Sequence, residues 1–211
     1  MDEAFWQGKW QRGEIGFHAA APNPLLTRNL PALGLAPGAR LFLPLCGKSL
    51  DIHWLLAQGH AVAGAELSRL AVEQLFSELG VEPTIRAAGT LERFEAEGLT
   101  IFVGNIFDLD AARLEPVDAI YDRAALVALP ETLRTLYAAH LVALTGGAAQ
   151  MLVTYQYDQS RMSGPPFSVG PAEVGRHYDA LYRLTLLEEA QVEGGLRGEP
   201  ARESVWHLAP R

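Results

Sequence analysis

The sequence predicts a three-layer α/β/α fold around a mostly parallel sheet, with an antiparallel hairpin at its C-terminal edge. Three observations carry this. Residues 40–66, RLFLPLCGKSLDIHWLLAQGHAVAGAE, read as strand, tight turn, helix and strand. Short buried apolar runs then alternate with amphipathic helical stretches as far as residue 155. The last two strands have only a glycine-rich loop between them, which suits an antiparallel pair at a sheet edge.

The elements follow from local chemistry. Phe5, Trp6, Lys9 and Trp10 share one side of a helix in an aromatic arm, residues 1–22. The arm serves either as a plug on its own domain or as a lid over a ligand. Asn23-Pro24 starts a helix that ends near Gly34. A strand spans 40–45, Ser49 caps a helix closed by Gly59, and a second strand runs from Ala61 to Glu66. Ser68 caps a helix to Leu79, and Gly80 stops it. Residues 81–99 give a weak strand at 84–87 and a hairpin around Gly89 and Gly98. Strands at 99–103, 117–121 and 148–155 follow, with a helix from Pro130 to about Leu144 between the last two. Residues 160–166 are a loop, 171–182 a helix, and 183–188 and 204–208 the final strands.

At 211 residues the chain is expected to form a single domain, 1–211. Apolar residues make up 49% and charged residues 20%, as in soluble globular proteins. The net charge of −8 argues against a nucleic-acid footprint. One cysteine, Cys46, allows no internal disulfide and suits a reducing compartment, so a cytoplasmic location is expected. The first residues, MDEAFWQGKW, lack signal-peptide features, and no apolar run spans a membrane. No exposed apolar helix face stands out, so a monomer is expected.

In an open α/β sheet, ligands bind beyond the carboxyl ends of the strands. Those ends carry Leu45-Cys46-Gly47, Glu66, Asn105-Ile106-Phe107-Asp108 and Asp122-Arg123. Glu66 lies about 20 residues past the first turn, where an acid binds ribose hydroxyls. The turn Pro-Leu-Cys-Gly-Lys-Ser lacks the Gly-x-Gly-x-x-Gly pattern, and no glycine precedes Gly47-Lys48-Ser49 as a P-loop requires. A ligand without phosphates fits better, S-adenosylmethionine being one. Cys46 is read as a small buried residue shaping the turn rather than as a nucleophile. The histidines, His18, His53, His60, His140, His177 and His207, show no metal-ligand spacing, and no metal is expected. His140 is placed on a solvated helix face. Asp122-Arg123 reads by default as a salt-bridged surface pair, or alternatively as an arginine facing the site.

The motifs FWQGKWQRGEIGFH, LFLPLCGKSLDIHWL, GAELS, NIFDL, YDRAALVALP and GPPF, in this order over residues 5–167, resemble the thiopurine S-methyltransferase family, and its bacterial branch closely. The resemblance implies a seven-stranded class I methyltransferase fold that binds S-adenosylmethionine and releases S-adenosylhomocysteine. It implies cofactor contacts at Trp10, Leu45, Glu66, Ile106 and Arg123, with Asn105 beside the adenine region. Phe17 matches a position lining the acceptor site, and Arg197, in the loop 188–202, is a second basic residue that would face it. The implied reaction is in-line methyl transfer to the sulfur of an aromatic or heterocyclic thiol, which a dry site favours because charge is neutralised. No catalytic dyad is expected.

Three other readings compete. One is methylation of selenium or tellurium oxyanions, halide or thiocyanate on the same scaffold. Another is a non-catalytic S-adenosylmethionine sensor. The third, a nicotinamide-dependent oxidoreductase, is disfavoured by the missing glycines.

Overall fold

The computed structural model describes residues 3–16 and 18–211. The aromatic arm forms helix α1 (Glu3–Gln11), in which the Phe5 and Trp6 rings meet edge-on at 5.3 Å and Lys9 lies 5.4 Å from the Phe5 ring. Helix α2 (Pro24–Asn29) starts where Asn23 caps it, its side chain accepting from the Leu25 N–H at 2.8 Å. A 3-10 turn (Leu30–Leu33) follows and ends at Gly34.

Next come strand β1 (Arg40–Pro44), helix α3 (Leu50–Ala57), strand β2 (Ala61–Glu66) and helix α4 (Arg69–Leu79). Ser49 and Ser68 cap the two helices by accepting from the Asp51 and Ala71 amides. Helix α3 has eight residues, too few to be stable alone. Its Ile52 and Leu55 are fully buried, and each contributes about 1.5–3 kcal/mol by leaving water. Packing therefore fixes α3, and with it the turn that precedes it.

Strands β3 (Thr84–Ala88), β4 (Leu91–Ala96) and β5 (Leu99–Val103) lead to the short helix α5 (Ala111–Leu114). Strand β6 (Ala119–Arg123), helix α6 (Glu131–Thr145), strand β7 (Ala149–Gln156) and helix α7 (Pro171–Tyr178) continue the alternation. Strands β8 (Tyr182–Gln191) and β9 (Arg202–Pro210) close it.

Among the described residues these strands form one sheet in the order β3-β4-β5-β2-β1-β6-β7-β9-β8. The five central strands, β5 to β7, are parallel. The β8–β9 pair is the antiparallel hairpin expected at the C-terminal edge. The seven strands from β5 to β8 make the seven-stranded core, and the antiparallel β3–β4 hairpin extends the sheet to nine.

Strand alternation divides the core into the expected layers. Leu41 and Leu43 of β1 pack with Ile52, Leu55, Val72 and Leu75 of α3 and α4. Phe42, between them, packs with Tyr137, Leu141 and Val174 of α6 and α7 on the other face. Three boundaries differ from expectation. The strand expected at 117–121 is β6, Ala119–Arg123, so Asp122 and Arg123 lie within it. Helix α7 stops at Tyr178, and Tyr182 already belongs to β8. The loop expected over 188–202 narrows to 192–201, because β8 and β9 run into it.

Candidate active site

A cavity of about 840 Å³ opens at the carboxyl edge of the parallel strands. Strands β2 and β6 flank β1, so the chain's winding reverses there, which is where open α/β sheets bind ligands. Trp10, Leu45, Glu66, Ile106, Arg123 and Arg197 all line this one cavity. Phe17 lies outside the described residues.

The turn after β1 forms the floor. Leu45 takes a left-handed backbone, φ 48, which a branched side chain rarely adopts outside a constrained site. The Cys46 N–H donates to the Ala65 carbonyl at 3.0 Å, and the Ser49 N–H to the Cys46 carbonyl at 3.2 Å. The Gly47 N–H donates to Glu66 Oε2 at 2.8 Å, and the Ser68 N–H to Glu66 Oε1 at 2.8 Å. The Asp51 N–H is taken by the Ser49 hydroxyl. With these four turn and helix amides used internally, the N-terminus of α3 is a poor cradle for pyrophosphate.

Glu66 is thus held by a backbone amide on each oxygen. Burial raises its pKa, while the Ser68, Gly47 and Leu67 amides pull it back. Gly47, φ 54, also permits close approach. A Cβ there would stand 3.1 Å from Trp10 Cζ2, so the arm seats its buried tryptophan directly over the turn. Cys46 is fully surrounded, and burial lifts its thiol well above the ordinary range, which leaves it a packing residue.

Asp122 and Arg123 are not a surface pair. Strand alternation sends them to opposite faces. Asp122 is wholly buried, accepting from the Leu126 N–H at 3.1 Å and the Tyr137 hydroxyl at 2.8 Å, and burial raises its carboxyl to about 6. Arg123 enters the cavity on the α3 side, where its buried Nε has no hydrogen-bond partner among the described residues. Burial works against its charge, but Tyr121, Asp51, Tyr155 and Glu203 outweigh this and hold its pKa above the ordinary value. Ala124, next in the wall, is left-handed at φ 61.

Around Arg123 the structure gathers groups that sequence reading missed. Tyr155 of β7 lines the cavity and is the register partner of Glu203 on β9. Asp51 of α3 accepts from the Asn23 N–H at 2.6 Å and from the Tyr121 hydroxyl at 3.1 Å. The available signal was positional, since Tyr155 lies one residue from the carboxyl end of β7, the strand beside β6, as Arg123 ends β6 itself. His18, from the arm, also lines the cavity. His140 departs from its expected solvated face. Its Nε2 lies 2.8 Å from the Ile106 carbonyl and its ring 5.3 Å from Phe107, bracing one cavity wall from α6.

Arg197 sits at the rim with φ 51 and donates to the Pro165 carbonyl at 3.1 Å, joining the 192–201 loop to the Gly-Pro-Pro loop. No helix among the described residues is long and apolar enough to cross a membrane.

The seven-stranded order, with a cavity at the β1 switch point, is the class I methyltransferase fold. Solved structures share the fold at low identity. A methyltransferase from Anabaena variabilis matches with a TM-score of 0.65 at 14% identity, over 99% of this chain and 95% of that one. A Burkholderia thailandensis 1,6-didemethyltoxoflavin-N1-methyltransferase with bound S-adenosylhomocysteine matches with a TM-score of 0.66 at 16% identity, over 98% of this chain and 87% of that one. The sequence model of thiopurine S-methyltransferase matches residues 1–205. A thiopurine S-methyltransferase of Gluconobacter oxydans is 55% identical over 98% of this chain and 94% of its own length. One of Xanthobacter autotrophicus is 53% identical over 99% of both chains. The chain belongs to the thiopurine S-methyltransferase family.

Proposed function

We propose that this protein transfers the methyl group of S-adenosylmethionine to the sulfur of an aromatic or heterocyclic thiol. The observation that carries the reading is the pair of groups flanking β1 at the cavity. Glu66 ends β2 on one side, and Arg123, whose Nε has no hydrogen-bond partner among the described residues, ends β6 on the other.

The residues suit this cofactor. Glu66 would accept from ribose hydroxyls with the lone pairs its amide bonds leave over. Asn105 and Ile106 would border the adenine, and Leu45 the ribose and tail. Trp10, seated on Gly47, would offer a ring face to a cation. The internally used amides around α3 suit a ligand without pyrophosphate, and the unpartnered Nε of Arg123 suits an anionic group. When bound, the cofactor supplies an electrophilic methyl carbon on a sulfonium.

The chain's own contribution is orientation and exclusion of water. Arg123, with Arg197 at the rim, would hold an anionic acceptor. Phe17 and Trp10 would cover its ring. The arm and the Gly-Pro-Pro loop would keep the site dry, so that a thiolate meets the methyl carbon without its hydration shell. The working unit is a single-domain monomer acting on a small molecule.

The test is incubation with methyl-labelled S-adenosylmethionine and a panel of aromatic thiols, iodide, selenite and tellurite, with products identified by mass. S-methylated thiols as the main products support the reading. Methylated oxyanions or methyl halide alone would move it to inorganic acceptors. Cofactor binding with no product from any acceptor would make the protein a sensor.

A further inference from the structure

We propose that His18 is the proton acceptor for the thiol, taking the sulfur-bound proton inside the cavity as the nucleophilic thiolate forms. The proposal rests on the thiol reading above.

The argument starts from what else lines the cavity. The reading above gives the lone pairs of Glu66 that its two amides leave over to the ribose. Asp51 holds the Asn23 amide on one oxygen and the Tyr121 hydroxyl on the other, and protonating it would weaken both bonds. Glu14 is paired with Lys9 at 3.1 Å and Arg12 at 2.8 Å, which hold its carboxyl at about 2, too weak a base for a thiol. Glu3 is exposed on the first turn of α1. Burial pushes the Tyr121 and Tyr155 hydroxyls and the Cys46 thiol up, so all three stay protonated. Lys48 is a cation paired with Glu78 at 2.6 Å.

His18 remains. Among the described residues it is the one histidine lining the cavity, and no hydrogen bond engages its ring. Its backbone N–H is anchored to the Ile15 carbonyl at 2.8 Å. The groups around it are Lys48 from the turn, Arg123 from β6, Glu78 from α4 and His53 from α3. Burial and the two cations lower its pKa and outweigh Glu78, so the ring is neutral at neutral pH with a lone pair available. The same Arg123 that disfavours imidazolium favours thiolate, which keeps donor and acceptor close in acidity.

The step balances. The thiol proton passes to an imidazole nitrogen, and a sulfur lone pair forms the bond to the methyl carbon. The bond between that carbon and the sulfonium sulfur breaks, and its electron pair stays on the departing sulfur. The imidazolium, disfavoured by Lys48 and Arg123, then releases its proton to solvent.

The test compares wild type with His18→Gln at pH 6 on 4-methoxythiophenol, mostly protonated at that pH, and 4-nitrothiophenol, mostly ionised. Expected is a several-fold loss in kcat/KM on the first, capped by the thiolate fraction the variant can still use, and almost none on the second. The His18 imidazole resonance, assigned by its absence from the variant, should move toward the imidazolium position when 4-methoxythiophenol is added to the S-adenosylhomocysteine complex, but not when 4-methoxyphenol is added. An equal loss on both thiols, or an unmoved resonance, overturns the assignment to His18 alone. A wild type inert toward both thiols overturns the thiol reading, and this proposal with it.

Discussion

Glu66 Oε2 accepts the Gly47 N–H at 2.8 Å, so one buried carboxylate ties the carboxyl end of β2 to the turn that follows β1. Its other oxygen holds the Ser68 N–H at the start of α4. The acid therefore shapes the site before any ligand arrives. Glu66→Gln must turn its amide N–H2 toward one of these two donors. The orphaned N–H costs about 1–3 kcal/mol, while removal of a buried charge offsets part of that in the fold. Affinity should consequently fall more than stability. The expected outcome is S-adenosylmethionine binding weakened about 10- to 100-fold by calorimetry, equivalent to about 1.4–2.8 kcal/mol. Wild-type affinity would remove Glu66 from the ribose role.

Gly47→Ala tests the seat of the arm. The new Cβ meets Trp10 at 3.1 Å on a backbone at φ 54, and the left-handed conformation alone costs about 1–2 kcal/mol. Gly59→Ala is the control, with φ 83 and nothing within 4 Å. Both variants should lose similar stability in urea, and only Gly47→Ala should lose several-fold in cofactor affinity. Equal affinities would show that the Trp10 contact does not shape the site.

Arg123→Ala separates chemistry from folding. Asp51 keeps both of its hydrogen bonds without the arginine, but Asp51 and Glu203 lose its nearby charge, so a stability loss of about 1–3 kcal/mol is expected. Catalytic efficiency toward an ionised thiol should fall at least about 100-fold, as when one preorganised charge-stabilising group is lost. Unchanged kinetics at matched stability would take Arg123 out of the site.

Much of the fold was legible because its punctuation is chemical. Asn23, Ser49 and Ser68 cap the helices they precede, and the strands at 61–66 and 99–103 are apolar runs bounded by glycine, serine or asparagine. What resisted reading has physical reasons. Strand β3, read as only a weak strand over 84–87, is an exposed edge with no apolar face to strengthen its period. Tyr178 and Tyr182 stand four residues apart, which mimics a helical face. They meet instead edge-on at 6.0 Å, one at the end of α7 and one at the start of β8. The site's linear landmarks, Leu45, Glu66, Ile106 and Arg123, all sit at strand ends, where topology alone brings them together. Its hydrogen-bond partners were hidden because they are backbone amides, or side chains such as Tyr155 and Asp51 from elements whose registers the sequence does not print.

Asp122 gives a pH signature. Burial raises its carboxyl from 3.8 to about 6 in the fold, so the folded state binds the proton more tightly than the unfolded chain. Its contribution is fully present below the unfolded value and is lost as pH rises through about 6. Asp122→Asn cannot titrate. Its carbonyl can still accept from Leu126, and the Tyr137 hydroxyl can turn to accept the amide. The stability of wild type relative to this variant should rise by about 2 kcal/mol as pH falls from 7.5 to 4, at 1.36 kcal/mol per unit. Urea unfolding across that range measures it, and a flat difference would refute the raised carboxyl.

Arg134 ties the segment after the Gly-Pro-Pro loop to the helical layer. Its buried Nε donates to Glu173 Oε1 of α7 at 2.5 Å, and its Nη1 donates to the Leu129 carbonyl at 2.9 Å. Its guanidinium also lies 5.7 Å from the Phe167 ring, directly after the Gly-Pro-Pro loop. Arg134→Met strands Glu173 with only His177 at 3.3 Å and Arg176 at 3.9 Å nearby, and breaking a buried pair from one side costs about 3–5 kcal/mol. Replacing both partners, Arg134→Met with Glu173→Leu, should recover most of that stability, because no charge is then left buried. The Phe167 contact stays lost in the double variant. Its KM for the acceptor should therefore remain raised several-fold while cofactor affinity matches wild type, because Glu66 and the β1 turn are untouched. Full recovery of KM together with stability would show that Arg134 supports the fold alone and does not position the acceptor loop.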